Sequence, residues 1–413
     1  MMTGRATSTA DDLIEALDEG DGVLSTTLAL EEQAAACEPD VLHLGGTRLM
    51  LLYMTQGKVC ARYSNDLGQT WQPRVMLRTE SGELISSGGT MSVKRLAGGA
   101  LMLLHRDTEP RAATDRVPTR FRVSRDEGLT WSDGCFVNPP WEIFAVHNGS
   151  ALVLRSGRIL LPGMTWFRMN ERRPTDQAHF GMWDYMMVYT HVYYSDDEGE
   201  TWERGQSQLN AYVDQGRRGL FPFEEPSVTE LPDGELFMAA RTNLGRLFES
   251  RSTDGGLTWQ WPEPMTVASA YAPPAVRAIP GSDRMLLAWT QTSPWEQQHG
   301  LRRHRLSVAL SDDRGQTWKH FRNLESLDDR AYIEPPPLEE ATDNEGPFYQ
   351  PEDRARYPHA PGSMRSAYPA MVIVEDRAIV TYEYMLVDPQ GDKLAITGKV
   401  KVLPLSWIEQ ARP

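Results

Sequence analysis

The chain has 413 residues, 40% of them hydrophobic and 24% charged, which is ordinary for a globular protein. Its formal net charge of −15 at pH 7 argues against nucleic acid as a partner. No apolar run approaches the roughly 18 residues that a membrane-spanning helix needs. The three cysteines, Cys37, Cys60 and Cys135, form no closely spaced pair, so we expect neither a disulfide framework nor a zinc site.

Residues 1–22 are predicted to form an N-terminal arm with one short helix over residues 11–17. No apolar core follows the basic residue near the start, which is unlike a secretory signal and indicates a cytoplasmic protein. The segment 25–30, with the sequence STTLAL, is predicted to be a strand.

Six segments along the chain then share one pattern, in which an apolar strand, a tight turn and a second apolar strand follow one another. The turns contain Asp-Gly, Gly-Gly, Ser-Gly or similar residues, which is typical of β-hairpins. The segments begin at Val41, Met91, Ala151, Val228, Ala275 and Ala370.

The pattern Ser-x-Asp-x-Gly-x-Thr-Trp follows each of the first five hairpins. Its copies are residues 64–71, 124–131, 195–202, 252–259 and 311–318. The Asp carboxylate can accept backbone N–H groups, Gly takes a positive φ and Trp packs beneath, so the pattern describes a turn. We therefore expect these Asp boxes to be structural and none of their aspartates to be catalytic.

Six hairpins, five of them followed by a box turn, predict an all-β chain that forms one six-bladed β-propeller over residues 1–413. Each blade is expected to have four antiparallel strands. The sixth blade lacks a box, and its outer part is predicted to be residues 395–405 closed by the N-terminal strand. Five Asp boxes with six such hairpins closely resemble the sialidase (neuraminidase) superfamily over nearly the whole chain.

The hairpin turns and box turns lie at one end of each blade, so the functional end should be the other one. We call this end the mouth; the first strand of each blade begins there and the second strand ends there. Residues at these positions are Glu38, His147, Asn148, Glu225, Tyr368, Tyr53, His105, Arg106, Trp166, Arg241, Trp289 and Glu383. The long segment 165–189, with Trp166, His179 and Trp183, is predicted to form a wall or lid.

The resemblance assigns roles to three of these positions and to Arg303. It implies that Tyr368 is a nucleophile, that Glu225 activates it, and that Arg241 and Arg303 bind a substrate carboxylate. The chemistry is consistent, because a neutral phenol needs a carboxylate to take its proton and a carboxylate ligand suits guanidinium groups. His105, His147 and Trp166 are further candidates for contacts with substrate.

Two features depart from the sialidase pattern. Where sialidases carry the first arginine of a triad in an Arg-Ile-Pro segment, this chain has Glu38-Pro39. The loop at residues 54–57, where their acid/base aspartate would lie, has no acid. Glu38-Pro39 mirrors Glu225-Pro226 across a six-fold ring, so two carboxylates are expected to face each other, as in many glycosidases.

The leading interpretation is a glycoside hydrolase, exo-α-sialidase-like, that releases a terminal sugar, with catalytic Tyr368, Glu225 and Glu38. The sugar would be acidic if Arg241 and Arg303 converge. One alternative is a carbohydrate-binding propeller without catalysis. Another is a polysaccharide lyase on the same fold, with Tyr368 and a histidine as base and acid. No motif requires a cofactor or a metal.

Overall fold

The computed structural model describes residues 12–28, 38–108, 118–140, 142, 144–168, 186–341, 359–390 and 393–411. They form six antiparallel sheets that contact one another in ring order, and the last contacts the first. The predicted six-bladed β-propeller is therefore confirmed.

Each blade runs from an inner strand at the axis to an outer strand at the rim. Blade one has Asp40–Gly45, Arg48–Thr55, Lys58–Ser64 and Val75–Met76; blade two has Met91–Arg95, Leu101–Arg106, Thr119–Ser124 and Cys135–Phe136. Blade three has an inner strand in two pieces, Phe144–Ala145 and Leu152–Val153, then Ile159–Arg168, Met186–Ser195 and Glu203–Arg204. Blade four has Glu224–Glu230, Leu236–Arg241, Arg246–Ser252 and Glu263–Ala268; blade five has Ala275–Ala278, Met285–Gln291, Arg305–Ser311 and Lys319–Glu325.

Blade six joins the two ends of the described chain. Its strands are Met364–Val374, Arg377–Val387 and Lys393–Pro404, followed by Val23–Thr27 and Leu17–Gly20. The expected closure by the N-terminal strand is confirmed, because Val23–Thr27 pairs antiparallel with the strand Lys393–Pro404. The blade has five strands rather than the predicted four.

The helix predicted over residues 11–17 is wrong. Ile14–Glu15 is a short strand that pairs with Thr70–Trp71 in the first Asp box. Leu17–Gly20 forms a hairpin with Val23–Thr27. Pairing with the sheets therefore outweighs the helical preference of this short segment, because an isolated helix of this length is marginal in water.

Elements outside the blades are short. Besides the pair of Ile14–Glu15 with Thr70–Trp71, they are the strand pairs Arg78–Thr79 with Thr130–Trp131 and Ala211–Tyr212 with Leu220–Phe221, the helices Pro294–Gln298, Leu338–Ala341 and Leu405–Glu409, and the 3-10 turn Asp214–Gly216. Within the described residues no helix is long and apolar enough to cross a membrane.

The first Asp box shows why this sequence recurs. Asp66 accepts hydrogen bonds from the backbone N–H of Thr70 at 2.9 Å and from its hydroxyl at 2.6 Å. Leu67 and Gly68 have φ values of 54° and 85°, which close the turn. Trp71 is fully buried beneath it. The tryptophans of three other boxes are also buried, and Trp202 is half-buried, so the boxes act as structural turns.

The inner strands approach closely at the axis near Gly149, which has φ 64°. A Cβ atom there would lie 2.6 Å from Cβ of Ala370 and 3.0 Å from Oδ1 of Asp40. Blades three, six and one therefore meet below the mouth at a point that only glycine fits. This contact sets the depth at which the neighbouring residues 147 and 148 stand.

Candidate active site

Three residues at the mouth share an unusual backbone conformation. Glu38, Glu225 and Tyr368 have φ values of 30°, 49° and 55°, and each precedes a proline. Among the described residues, no other non-glycine residue combines a positive φ with a following proline. The residue before proline favours extended backbone, so each position stores strain of about 1–3 kcal/mol. Such strain clusters at functional sites, and here it coincides with the three predicted catalytic residues.

The strain accompanies bulges in two of the inner strands. Pairing with the second strand shifts register between Glu224 and Ser227 in blade four, and between Ala367 and Ala370 in blade six. A bulge leaves a residue outside the ladder and changes the direction of its side chain. The bulges thus turn Glu225 and Tyr368 toward one another although blade five lies between their blades.

The phenol of Tyr368 donates a hydrogen bond to Oε1 of Glu225 over 3.3 Å. Burial raises the pKa of Tyr368 above its ordinary value, and the Glu225 carboxylate adds to this effect, whereas Arg241 and Arg303 oppose it. The phenol is therefore neutral at pH 7. It can act as a nucleophile only if its proton passes to Glu225 as it attacks.

Arg241 is held by two neighbouring carboxylates. Its Nη1 lies 2.5 Å from Oε2 of Glu225, and its Nη2 donates to Oε2 of Glu224 over 2.7 Å. Its guanidinium carbon lies 4.1 Å from the centre of the Tyr271 ring, and the residue is 2% exposed. Although burial alone would lower the pKa of Arg241, Glu225, Tyr271 and Glu224 raise it well above its usual value.

Glu224 and Tyr271 are part of the site although the sequence analysis did not select them. Tyr271 donates from its hydroxyl to Oε2 of Glu224 over 2.7 Å. In a regular strand Glu224 and Glu225 would point to opposite faces, and only the bulge allows both to contact Arg241. Tyr271 could have been selected from the sequence, because it is an aromatic residue just before the inner strand of blade five, where the mouth is expected.

Arg303 lies between blades five and six. Its Nη2 donates to the carbonyl of Tyr271 over 2.6 Å, and its guanidinium carbon lies 5.6 Å from the centre of the Tyr368 ring. The side chain is half-buried. Arg241 and Arg303 thus both contact Tyr271, so the two predicted carboxylate-binding arginines lie in one region of the mouth.

Glu38 is 9% exposed, and no hydrogen bond reaches its Oε2 atom from the part of the chain that the structure describes. Burial raises the pKa of Glu38 to about 8, and the charges of Glu383 and Glu225 contribute, whereas Arg106 opposes them. Glu38 is therefore mostly protonated at pH 7. The mutual influence of Glu38 and Glu225 is consistent with the predicted facing pair of carboxyl groups.

The two candidate histidines have other contacts. Nε2 of His105 accepts a hydrogen bond from Nε of Arg122 within blade two, and burial, with the Arg122 charge, lowers the pKa of His105 to about 3. Nε2 of His147 donates to the carbonyl of Pro226 over 2.7 Å, and burial lowers its pKa to about 4. His147 thus fixes the backbone just after Glu225, whereas His105 stabilises its own blade.

The predicted wall of blade three falls largely outside the described residues. Trp166 lies in the second strand of the blade, opposite Val188, and its side chain is not among those described. His179 and Trp183 also lie outside the described residues. Their predicted contacts with substrate stay predictions.

A group of potential metal ligands lies beside the mouth in blade five, where Glu296, His304 and Asp328 approach one another. The Glu296 carboxylate accepts hydrogen bonds from Arg305 at 2.9 Å and Arg330 at 2.6 Å. Asp328 accepts from Arg305 at 2.7 Å. Because two guanidinium groups already neutralise these carboxylates, the group does not suit a cation. It anchors the segment that carries Arg303.

The opposite face of the ring has a cleft of about 680 Å³ between blades two and three. It is lined by box residues, including Ser124 and Asp197, and by the hairpin turn of blade two. Glu198 accepts a hydrogen bond from the backbone N–H of Gly98 over 2.6 Å and so ties the two blades together there. The strained residues of the mouth lie at the other end of the blades.

Comparisons with known proteins agree with this architecture. A family model described as a BNR repeat-like domain matches residues 73–381. Sialidase-4 of Homo sapiens is 30% identical over 154 residues, and the match covers 33% of this chain and 28% of that protein. The chain thus matches less than a third of this curated relative.

Two solved structures show the same fold at low identity. A protein of unknown function from Dyadobacter fermentans has a TM-score of 0.57 and 18% identity, over 92% of this chain and 99% of its own. Hadza microbial sialidase Hz136 has a TM-score of 0.54 and 15% identity, over 89% of this chain and 65% of its own. Because the family model covers most of the chain, the chain belongs to the BNR repeat-like family, a group of propellers in the sialidase superfamily.

Proposed function

We propose that the chain is a glycoside hydrolase in which Tyr368 attacks the anomeric carbon of a terminal sugar. The observation that supports this most directly is the hydrogen bond from Tyr368 to Glu225, made between two strained residues from different blades. A buried tyrosine beside a carboxylate is the arrangement that a phenolic nucleophile requires. Tyrosine nucleophiles are known among glycosidases as the sialidase exception.

The first step is a displacement at the anomeric carbon. The Tyr368 oxygen forms a bond to that carbon as Glu225 takes the phenolic proton, and the glycosidic bond breaks. Glu38, protonated at pH 7 because its pKa is raised to about 8 by burial and by Glu383, donates its proton to the leaving oxygen. Glu38 thus supplies the acid that the loop at residues 54–57 lacks. In that loop a turn at Gln56 and Gly57 joins the strands Arg48–Thr55 and Lys58–Ser64 directly.

Water completes the reaction in the second step. It attacks the anomeric carbon from the side the leaving group has vacated, and Glu38 takes one of its protons. The bond to Tyr368 breaks, and the phenol recovers its proton from Glu225. Two displacements give net retention of configuration. The resemblance adds that the enzyme would be exo-acting and α-sialidase-like.

Turnover of 4-methylumbelliferyl glycosides, both α and β anomers, tests the proposal. On whichever glycoside the protein hydrolyses, Tyr368→Phe and Glu225→Gln should each lower kcat by roughly 100-fold or more, since each removes a group required in the reaction. Tyr382→Phe is a matched control, because it also removes a tyrosine–glutamate hydrogen bond, to Glu325 at 2.6 Å. A glycosyl fluoride of the same sugar that carries a second fluorine on the carbon next to the anomeric carbon should label Tyr368, as located by mass spectrometry.

Retained activity in Tyr368→Phe, together with loss of activity in Glu38→Gln and Glu225→Gln, would instead indicate catalysis by two carboxyl groups.

A carbohydrate-binding propeller without catalysis is the second candidate, since the catalytic acid expected in the loop at residues 54–57 is missing. Binding of a sugar without turnover of any glycoside would support it. The lyase alternative has less support, because Arg122 and the Pro226 carbonyl already occupy the Nε2 atoms of His105 and His147.

A further inference from the structure

We infer that the sugar bound at this mouth carries no carboxylate, and that Glu38 selects for a neutral sugar. The inference rests on the proposed function and names the substrate class of the same site. It departs from the acidic substrate that the resemblance would imply. Three features of the described residues support it, namely the contacts of Arg241, the balance of charge at the mouth and the free oxygen of Glu38.

Arg241 already binds two carboxylates of the protein. Its Nε and Nη2 both donate to Oε2 of Glu224, at 3.2 Å and 2.7 Å, and its Nη1 pairs with Glu225. A ligand carboxylate binds most strongly to two parallel N–H donors of one guanidinium group. Here Glu224 takes the Nε–Nη2 edge, Glu225 neutralises the charge at Nη1, and the Tyr271 ring covers one face of the guanidinium group. Arg241 therefore positions Glu225, and a ligand carboxylate would compete there with two carboxylates of the protein.

Charges at the mouth do not favour an anion. Arg303 is half-buried and has one nitrogen committed to the Tyr271 carbonyl. Among the described residues that act on Glu38, Glu225 or Tyr368 or pair with Arg241, four side chains are acidic and three are basic, namely Glu38, Glu224, Glu225, Glu383, Arg106, Arg241 and Arg303. Even with Glu38 protonated, these acidic and basic groups are only in balance. An excess of positive charge, which would attract an anion, is not present within this set.

Glu38 suits a hydroxyl group better than a carboxylate. Its Oε2 atom is buried and receives no hydrogen bond from the described residues, and an unmade buried hydrogen bond costs free energy. A sugar hydroxyl can donate to this atom or accept from it, whichever protonation state Glu38 has. A ligand carboxylate can only accept, so it can bind Glu38 only while Glu38 is protonated, and it would lie beside the charges of Glu383 and Glu225. The Glu38 position therefore favours a hydroxyl group over a carboxylate.

Matched pairs of substrates test the inference. Glucosides and glucuronides, and galactosides and galacturonides, differ only in a carboxylate at C6, and the N-acetylneuraminide tests the sialidase substrate itself. We expect kcat/KM for the better neutral glycoside to exceed that of its uronide by roughly 100-fold, and the N-acetylneuraminide to be hydrolysed no better than the uronide. Faster hydrolysis of any carboxylate-bearing glycoside than of the neutral ones would overturn the inference and leave the hydrolase proposal standing.

Substitutions of Glu38 and Glu383 test whether these residues cause the preference for a neutral sugar. Because Glu38 is also the proposed acid, the preference is measured here as the ratio of the dissociation constants of the neutral sugar and its uronic acid. Glu38→Arg should reduce this preference at least roughly tenfold, because it exchanges an acid for a cation. Glu383→Gln is the second variant in case Glu38→Arg does not fold, and it should reduce the same preference to a smaller extent. If both variants fold and the preference is unchanged, Glu38 and Glu383 do not cause the selectivity.

Binding separates this inference from the hydrolase proposal. Calorimetric titration of Tyr368→Phe with glucose, galactose and their uronic acids needs no catalysis. Preferential binding of a neutral sugar would support the inference even if no glycoside is turned over, whereas the hydrolase proposal would then fail. Preference for a uronic acid, or binding of neither class, would overturn the inference.

Discussion

The side-chain amide of Asn148 donates a hydrogen bond to the carbonyl oxygen of Tyr368 over 2.6 Å, across 220 residues of sequence. The same nitrogen donates to the carbonyl of Pro39 over 3.1 Å. One side chain of blade three therefore holds the backbone beside Tyr368 on blade six and beside Glu38 on blade one. The relative position of the two candidate catalytic groups depends on this amide.

Asn148→Ala should lower both stability and activity. It removes the amide donor of the Tyr368 carbonyl and one of two donors of the Pro39 carbonyl, which keeps the Thr381 hydroxyl, at a cost of about 1–3 kcal/mol in the free energy of unfolding. We expect kcat to fall because Tyr368 and Glu38 lose a shared anchor. Asn210→Ala is the matched control, since the Asn210 amide also donates to two carbonyls, those of Val188 and Phe221, neither of which belongs to a candidate catalytic residue. Equal loss of kcat in both variants would argue against a positioning role.

Arg241→Ala should mainly affect folding. The substitution leaves Glu224 and Glu225 buried without their cation, and breaking a buried ion pair in this way costs about 3–5 kcal/mol. Urea denaturation measures the loss. Arg303→Ala, at a half-buried position with one hydrogen bond to a carbonyl, should cost much less. A stable Arg241→Ala protein that differs only in a higher KM would show that the arginine binds substrate directly.

Glu38→Gln should change how stability depends on pH. An unfolded glutamate ionises near pH 4.5, whereas burial and the Glu383 charge raise the pKa of folded Glu38 to about 8. Between pH 4.5 and pH 8, unfolding therefore releases a proton from Glu38. The contribution of Glu38 to the free energy of unfolding is complete below pH 4.5 and is lost as pH rises toward 8. Relative to the wild type, Glu38→Gln should gain stability across this window by an amount on the order of a few kcal/mol.

Thermal unfolding at several pH values measures this difference. Glu127→Gln is a suitable control, because hydrogen bonding from Arg95 lowers the pKa of Glu127 although burial opposes the shift. That carboxyl is ionised in both states over nearly all of the window, so its difference from the wild type should be nearly flat. A flat difference for Glu38→Gln as well would mean that Glu38 is ionised in the folded protein.

Substitution of box tryptophans should follow their burial. Trp131 is fully buried and packs in a core with Leu52 and Leu103, so Trp131→Ala should cost about 3–5 kcal/mol. Trp202 is half-buried and should cost less. Trp261, which is 68% exposed, should have little effect. Chemical denaturation of the three variants tests this order, and an equal loss at all three would contradict a packing role for the boxes.

Most of the fold could be predicted because repeated local signals agreed with one another. In each Asp box the residues Ser, Asp and Gly specify the turn, and in each hairpin the alternating apolar residues specify the register. The segment 11–17 carried no repeated signal. Its strands form through pairing with Trp71 and with Val23–Thr27, and that partnership is visible only in three dimensions.

The site could be predicted in part. Topology alone indicated that Glu225, Tyr368 and Glu38 lie at the mouth, because inner strands begin there. The role of Arg241 could not be deduced, since it depends on Glu224. The bulge that brings Glu224 beside Glu225 has no clear mark in the sequence other than the following proline.

The closure of blade six has a consequence for how the protein folds. Strand Val23–Thr27 can pair only after Lys393–Pro404 has been made, and Thr397 bonds to the Leu28 carbonyl across 369 residues. Such distant contacts give a high contact order and slow folding. Until the last strand arrives, the apolar faces between open blades stay exposed to other chains. The yield of folded protein during expression should therefore depend strongly on temperature and on chaperones, even if the closed ring is stable once it has formed.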